Sequence, residues 1–255
     1  MTDTLTAPRP PRIMWRLARV VQTRAETPRA RTLVLDVPDW PGHGAGQHID
    51  VRLTAETGYQ TQRSYSIASP PEEPQVSLTV ERIEDGEVSP YLTDDLRAGD
   101  LLELRGPVGG YFTWDAARDG GPLFLVAGGS GVVPLMSMLR HRAATRSRVP
   151  ARMLYSSRTL KEIFYRDELQ RMAAGDADLE IIQTLTREQP PGWTGHTGRI
   201  DRDLLASLAW GAQERPLIYI CGSTSLVEAM ASLLQAQGHA PDRIKTERFG
   251  PTGNK

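Results

Sequence analysis

Residues able to grip a nucleotide recur along this chain in short, separate runs. In Arg63-Ser64-Tyr65-Ser66 a guanidinium, a phenol and hydroxyls stand in a row. A guanidinium fork holds a diphosphate bidentately. A tyrosine two positions on lies on the same side of a strand and stacks on a flat ring, and the serine beside it donates to a ring nitrogen. Such a run suits a dinucleotide carrying a flat ring system, although an ordinary half-exposed strand also accommodates it. Gly86-Glu87-Val88-Ser89 puts a permissive turn and a serine at a helix start, where free amides bind phosphate or the serine simply caps the helix.

The run Gly128-Gly129-Ser130-Gly131-Val132-Val133-Pro134 lies between a predicted strand and a predicted helix. Glycines there let backbone amides approach a pyrophosphate, and the helix N-terminus adds partial positive charge. Pro134 stands where the usual dinucleotide fingerprint has a third glycine, and a first helical turn tolerates it. Val132 in place of a closing glycine excludes a Gly-x-Ser-x-Gly nucleophile elbow, which weakens a hydrolase reading for Ser130. Further on, Ser156-Ser157-Arg158 and Thr186-Arg187 close two predicted strands. NAD enzymes place an acid at such a strand end to hold the ribose 2′-hydroxyl; hydroxyls and arginines suit a 2′-phosphate instead. Each arginine taken alone is equally a solvated surface charge.

Composition bounds these readings. A chain of 255 residues accommodates two domains, each with its own core. The net charge of -1 gives no global field toward nucleic acid or anionic lipid. A single cysteine, Cys221, excludes an intrachain disulfide and a cysteine-ligated iron–sulfur cluster, and the five histidines show no metal-ligand spacing. No apolar run approaches the roughly 18 residues of a membrane span. Met1–Arg12, rich in Pro and Thr, reads as a frayed tail and not a targeting signal. A soluble, cytoplasmic protein is expected.

The elements that must position these residues fall into two kinds. Ile13–Arg24, Ala30–Val37, Gly46–Leu53, the Arg63 strand, Gln75–Glu81 and Asp100–Arg105 are short strands with turn signals between them, and Ser89–Leu96 reads as a helix. That pattern predicts a six-stranded antiparallel β-barrel over residues 13–117. Beyond the linker Arg118–Pro122, strands alternate with helices. Strands are expected at Leu123–Ala127, Ala151–Tyr155, Leu179–Leu185, Leu217–Cys221 and Ile244–Phe249. Helices are expected after Gly131 and at Phe164–Met172, Asp201–Trp210 and Ser225–Gln237. This predicts a doubly wound parallel sheet over residues 118–255.

With these motifs in order, the chain resembles the ferredoxin–NADP(+) reductase family over Met14 to Thr252. The resemblance implies an FAD-binding barrel followed by a nicotinamide-nucleotide domain. It implies that Arg63 meets the flavin pyrophosphate, Tyr65 packs on the flavin, and Ser66 lies near flavin N5, with Ser64 in the same signature. Gly86, Val88 and Ser89 belong to the second phosphate-binding segment, and Val80 supplies backbone contacts to FAD. Gly129, Ser130, Gly131 and Pro134 match the nicotinamide loop. Cys221-Gly222 matches the nicotinamide pocket, with Ser223 in place of a frequent proline. Glu247 and Phe249 resemble the acid and aromatic that border the flavin. Cys221 and Phe249 are also plain core candidates by position alone.

The activity so implied is FAD-dependent NAD(P)H:acceptor oxidoreduction. Hydride passes from NADPH to flavin, with Ser66, Cys221, Glu247 and Phe249 shaping the reacting site. FAD is expected over FMN, NADPH over NADH, and no iron–sulfur cluster. The chain stops soon after Phe249, so electrons are expected to leave for a separate ferredoxin or larger redox enzyme. The alternative is a flavin-bearing subunit that docks on a larger enzyme and has little activity alone.

Overall fold

The computed structural model describes residues 13–249. The tail expected at Met1–Arg12, the end of the second predicted domain (250–255) and the last of the resemblance, to Thr252, lie outside the described residues.

The first sheet is built from β1 (Trp15–Thr27), β2 (Ala30–Asp36), β3 (His48–Thr54), β4 (Gln60–Ser66), β5 (Val76–Glu81) and β6 (Leu101–Val108). Its order is β4-β3-β6-β1-β2-β5, with every neighbouring pair antiparallel. The two edges meet just past β4. There Ile67 bridges Leu78, and the Ala68 amide donates to the Ser77 carbonyl at 2.7 Å. Closure removes the free edges. Alternation along the strands sends Ala18, Val20, Ile49, Val51, Leu78 and Leu104 to one buried core.

The expected helix at Ser89–Leu96 is short and wider than an α-helix, Tyr91–Asp95 being π-helical. The Leu96 amide donates to the Tyr91 carbonyl at 3.0 Å, and Leu92 and Leu96 both enter the barrel core.

The second sheet comprises β7 (Leu123–Gly128), β8 (Ala151–Ser157), β9 (Leu179–Leu185), β10 (His196–Thr197), β11 (Leu217–Ser223) and β12 (Ile244–Phe249). All pairs are parallel in the order β10-β9-β8-β7-β11-β12. β7 is buried on both faces, Leu125 and Phe124 belonging to different core clusters, as its unbroken apolar run requires. The order reverses between β7 and β11, so the crevice beyond their C-terminal ends is the sheet's switch point.

The helices are α1 (Val132–Ala144), α2 (Arg166–Gly175), α3 (Arg202–Leu208) and α4 (Thr224–Ala236). α2 begins later than its pattern suggests. Tyr165 holds a left-handed φ of 55°, which a helix cannot contain, and Phe164 and Tyr165 are spent on packing. α3 starts after Asp201 because that carboxylate accepts from the Leu204 amide as an N-cap, at 2.8 Å. The edge strand β10, only two residues long, carries no periodic signal and was not anticipated. No helix among the described residues is long and apolar enough to cross a membrane.

Candidate cofactor and nucleotide site

On the barrel side the site is built on β4 and its partner β3. Arg63 points into solvent. Its Nη1 donates to the Gln62 carbonyl at 2.7 Å, and its Nη2 lies 3.7 Å from Glu87 Oε2. Glu87 also accepts from the Tyr59 and Thr61 hydroxyls, each at 3.1 Å, so the Gly86–Ser89 turn and Arg63 stand together. Ser89 does not cap its helix; its Oγ accepts from the Ile83 amide at 3.0 Å and ties the turn. Gly86 fits there because a Cβ would come 2.9 Å from Ser89 Oγ. Val80 and Val88 are buried in the barrel core.

Tyr65 packs partly against that core, and burial pushes its phenol up to about 12 against the pull of Arg63. The Ser64 hydroxyl donates to Asp50 Oδ1 at 2.6 Å, and Arg105 Nη2 donates to Asp50 Oδ2 at 2.6 Å. Burial opposes charge on Asp50, but these donors outweigh it and hold the carboxyl below its usual range. Ser66 differs from Ser64: its Oγ is buried and has no partner among the described residues. Buried hydroxyls are normally satisfied, so this orphan fits a polar ring atom of a bound group.

On the nucleotide side the Gly128–Gly131 turn follows β7 directly into α1. Gly129 takes a left-handed φ of 55°, and Gly129–Gly131 forms a 3-10 turn. Gly131 needs its lack of a side chain for another reason: a Cβ would stand 2.2 Å from the Cys221 carbonyl oxygen. Ser130 is half-buried in that turn, and Pro134 sits buried in the first turn of α1. A Cβ on Gly222 would come 3.3 Å from the Gly128 amide nitrogen, so the ends of β7 and β11 run close together at the switch point.

The two sides meet at Glu247 on β12. Its Oε2 accepts from the buried Cys221 thiol at 3.9 Å, and its Oε1 lies 3.8 Å from His48 Nδ1. Burial pushes the Glu247 carboxyl up to about 7, with the thiol opposing. Burial, then the adjacent carboxylate, raises the Cys221 thiol well above its usual value. Burial lowers the His48 imidazolium, with Asp50 opposing. Charge is therefore disfavoured on both members of the His48–Glu247 contact, which is better described as a near-neutral pair than as a salt bridge.

His48 escaped the sequence reading, because it belongs to no motif. Only the register of β3 on β4, which sets His48 directly opposite Ser66 on the same face, places it in the site. Phe249 is half-buried beside the second domain's core, with Ser223 as its strand partner. The strand ends of β8 and β9 lie side by side, apart from this cluster. There the Thr186 amide donates to the Ser157 carbonyl and the Arg187 amide to the Arg158 carbonyl, each at 2.9 Å. Both guanidiniums are on exposed residues, whereas the buried Ser157 hydroxyl donates to the Glu162 carbonyl at 3.2 Å. A cleft of about 390 Å³ lies elsewhere, lined among others by His43, Glu72, Trp114 and His141, none of them a predicted site residue. No cluster of His, Cys, Asp or Glu among the described residues is arranged to hold a metal.

Residues 19–113 match the family described as Oxidoreductase FAD-binding domain, and residues 125–232 match Oxidoreductase NAD-binding domain. The chain is 33% identical over 240 residues to Ferredoxin--NADP reductase B of Sorangium cellulosum, covering 91% of this chain and 96% of that protein. It is also 33% identical over 240 residues to the glycine betaine monooxygenase reductase subunit of Pseudomonas aeruginosa. That match covers 92% of this chain and 64% of the relative, so the chain spans under two thirds of that protein's length. The fold is shared with the flavohem-like FAD/NAD binding domain of nitric oxide dioxygenase from Vibrio cholerae. The TM-score is 0.82 at 24% identity, over 92% of this chain and 99% of the other. An antiparallel barrel closed beside β4, a parallel sheet with a glycine turn at its switch point, and 33% identity that covers nearly the whole of a reductase lead to one assignment: the chain belongs to the ferredoxin–NADP(+) reductase family, with an FAD-binding domain followed by an NAD-binding domain.

Proposed function

We propose that this chain takes electrons from NADPH through FAD to a separate redox protein, with the domains divided at residues 117 and 118. The observation that carries the reading is the contact of His48, the strand partner of Ser66 in the barrel, with Glu247 of β12, which also accepts from Cys221 of β11. Bound flavin would supply the chemistry, accepting a hydride from nicotinamide and releasing electrons singly. The chain's own residues bind, orient and exclude water. Arg63 and the Gly86–Val88–Ser89 turn hold the pyrophosphate, with Ser64 and the Val80 backbone beside it. Tyr65 packs on the ring system and the Ser66 hydroxyl donates to a ring nitrogen. Gly129, Ser130, Gly131 and Pro134 receive the nicotinamide nucleotide. Ser157, Arg158, Thr186 and Arg187 border its adenosine end, and Cys221, Gly222 and Glu247 line the nicotinamide pocket. Phe249 covers the flavin until nicotinamide replaces it.

The acceptor is a ferredoxin or an oxygenase component. A relative named as a monooxygenase reductase subunit favours a second reading, in which the chain works only when docked on a larger enzyme. Purified protein should release FAD on heating, identified by chromatography, and should oxidise NADPH with an artificial one-electron acceptor. Release of FMN would sink the flavin assignment. Oxidation that requires an added protein partner would favour the docked subunit.

A further inference from the structure

Ser137, Arg140 and His141 recur at i, i+3 and i+4 in α1 and so share one face of that helix. All three reach across to the barrel. The Ser137 hydroxyl donates to the Ser69 carbonyl and Arg140 Nη1 donates to the Ala68 carbonyl, each at 2.7 Å. His141 Nε2 accepts from the Ala116 amide at 3.2 Å, which leaves the ring proton on Nδ1, and Nδ1 donates to Glu72 Oε1 at 2.7 Å. From within the barrel domain, His43 adds to the same grip. Its Nδ1 accepts from the Trp40 indole at 3.2 Å, so its Nε2 donates to the Ser69 carbonyl at 3.1 Å.

Arg140 is itself held from several sides. It donates to both Glu168 oxygens, at 2.8 and 2.7 Å, and its guanidinium lies 4.8 Å from the centre of the Tyr165 ring. The Tyr165 hydroxyl bonds Thr79 of β5, a further crossing between the domains. Ser137 is wholly buried and the Arg140 side chain nearly so. Apolar packing alone would let two domains slide; buried, directional hydrogen bonds fix a register.

The gripped segment, Ala68 to Glu72, begins two residues after Ser66, and α1 begins directly after the Gly129–Gly131 turn. We propose that Ser137 and Arg140 are positioning residues for hydride transfer. One rigid helix carries the nicotinamide turn at its N-terminus and grips the strand end that carries Ser66 at its middle. The separation of the two reacting groups is thereby set by α1. The proposal rests on the reading above, in which that turn receives the nicotinamide nucleotide and Ser66 adjoins the flavin. Its force comes from the tolerance of the reaction, since a displacement of about 1 Å costs on the order of a hundredfold in rate.

The test combines Ser137→Ala with Arg140→Lys in the flavin-loaded protein. A lysine keeps the charge beside Glu168 but lacks the planar fork whose separate nitrogens reach both carboxylate oxygens and the Ala68 carbonyl at once. The saturated rate of flavin reduction by NADPH, read by stopped flow, should fall roughly tenfold or more, while flavin content and NADP+ affinity stay at wild-type values. Amide exchange at Ala68 and Glu73, which does not depend on turnover, should quicken. An unchanged saturated rate despite faster exchange would mean that the contacts only glue the domains, and so would a rate lost only in proportion to flavin. If the double variant does not fold, Ser137→Ala alone should slow the saturated step roughly two- to tenfold; no slowing overturns the proposal. A wild type without flavin, or with flavin that NADPH does not reduce, overturns the underlying reading and this proposal with it.

Discussion

Glu247 lies between a buried thiol and an imidazole on which burial disfavours charge, and its carboxyl is pushed up from 4.5 to about 7. The folded state therefore binds that proton more tightly than the unfolded chain. Stability from this group is full below pH 4.5, falls as pH rises towards 7, and changes no further above it. The size of the loss is on the order of 3 kcal/mol. His43, His48 and His239, on which burial disfavours charge, act in the opposite sense, so the clean measurement is a difference. Urea midpoints of wild type and Glu247→Gln should diverge between pH 5 and pH 8, the wild type losing more; parallel curves would remove the buried-acid account. Arg63 makes a second test at this scale. Its guanidinium is mostly exposed and its acid neighbour Glu87 stands at 3.7 Å, so it is free to be redirected toward a diphosphate. Arg63→Ala should weaken flavin binding by roughly 1.5–3 kcal/mol, or about ten- to a hundredfold in dissociation constant. A variant that retains full flavin on dilution would place the pyrophosphate elsewhere.

At the scale of elements, the parallel pairing of β8 with β9 places Arg158 and Arg187 side by side just past the two strand ends. The backbone bonds running on past the strands, Arg187 amide to Arg158 carbonyl among them, keep these ends in register. Among the described residues neither side chain is engaged with an acid. A 2′-phosphate would give them a partner that NADH lacks, so the preference should sit mainly in the Michaelis constant. Replacing both Arg158 and Arg187 by alanine should cut the NADPH-to-NADH efficiency ratio by about ten- to a hundredfold, leaving the saturated rate largely intact. A wild type that prefers NADH, or an unchanged ratio, would reduce both to surface charges.

For the whole molecule, the consequential feature is that the two sheets share packing. Ala68, Phe112 and Trp114 from the barrel side enter the same apolar cluster as Leu125 and Met136. Elsewhere between the two units, the Tyr219 hydroxyl donates to the Thr113 carbonyl at 2.6 Å and the Tyr111 hydroxyl to the Ile244 carbonyl at 3.2 Å. An interface that is both apolar and hydrogen-bonded couples the two units, whereas linked but independent domains melt separately. Urea transitions followed by far-UV circular dichroism, by flavin release and by exposure of the Cys221 thiol should therefore coincide. A barrel that loses flavin well before the thiol is exposed would show two independent units.

The period of the apolar residues was enough to recognise both architectures, because a strand half-buried against a core must alternate and a strand buried on both faces must not. The glycine turn before Val132 was equally legible, since only a small set of residues tolerates that backbone. Helix starts were read less well where a side chain was committed to tertiary packing, as Tyr165 is, or to a cap, as Asp201 is. The gathering of the site was legible only as something the family resemblance implied, and the place of His48 in it not at all. Ser66 meets His48 through strand register, and Glu247 meets both Cys221 and His48 through the order of strands in the second sheet and its docking on the barrel. Those contacts join residues up to 199 positions apart, between His48 and Glu247. No local pattern encodes such a pairing; it is decided when two closed cores are brought together and burial strips water from the groups caught between them.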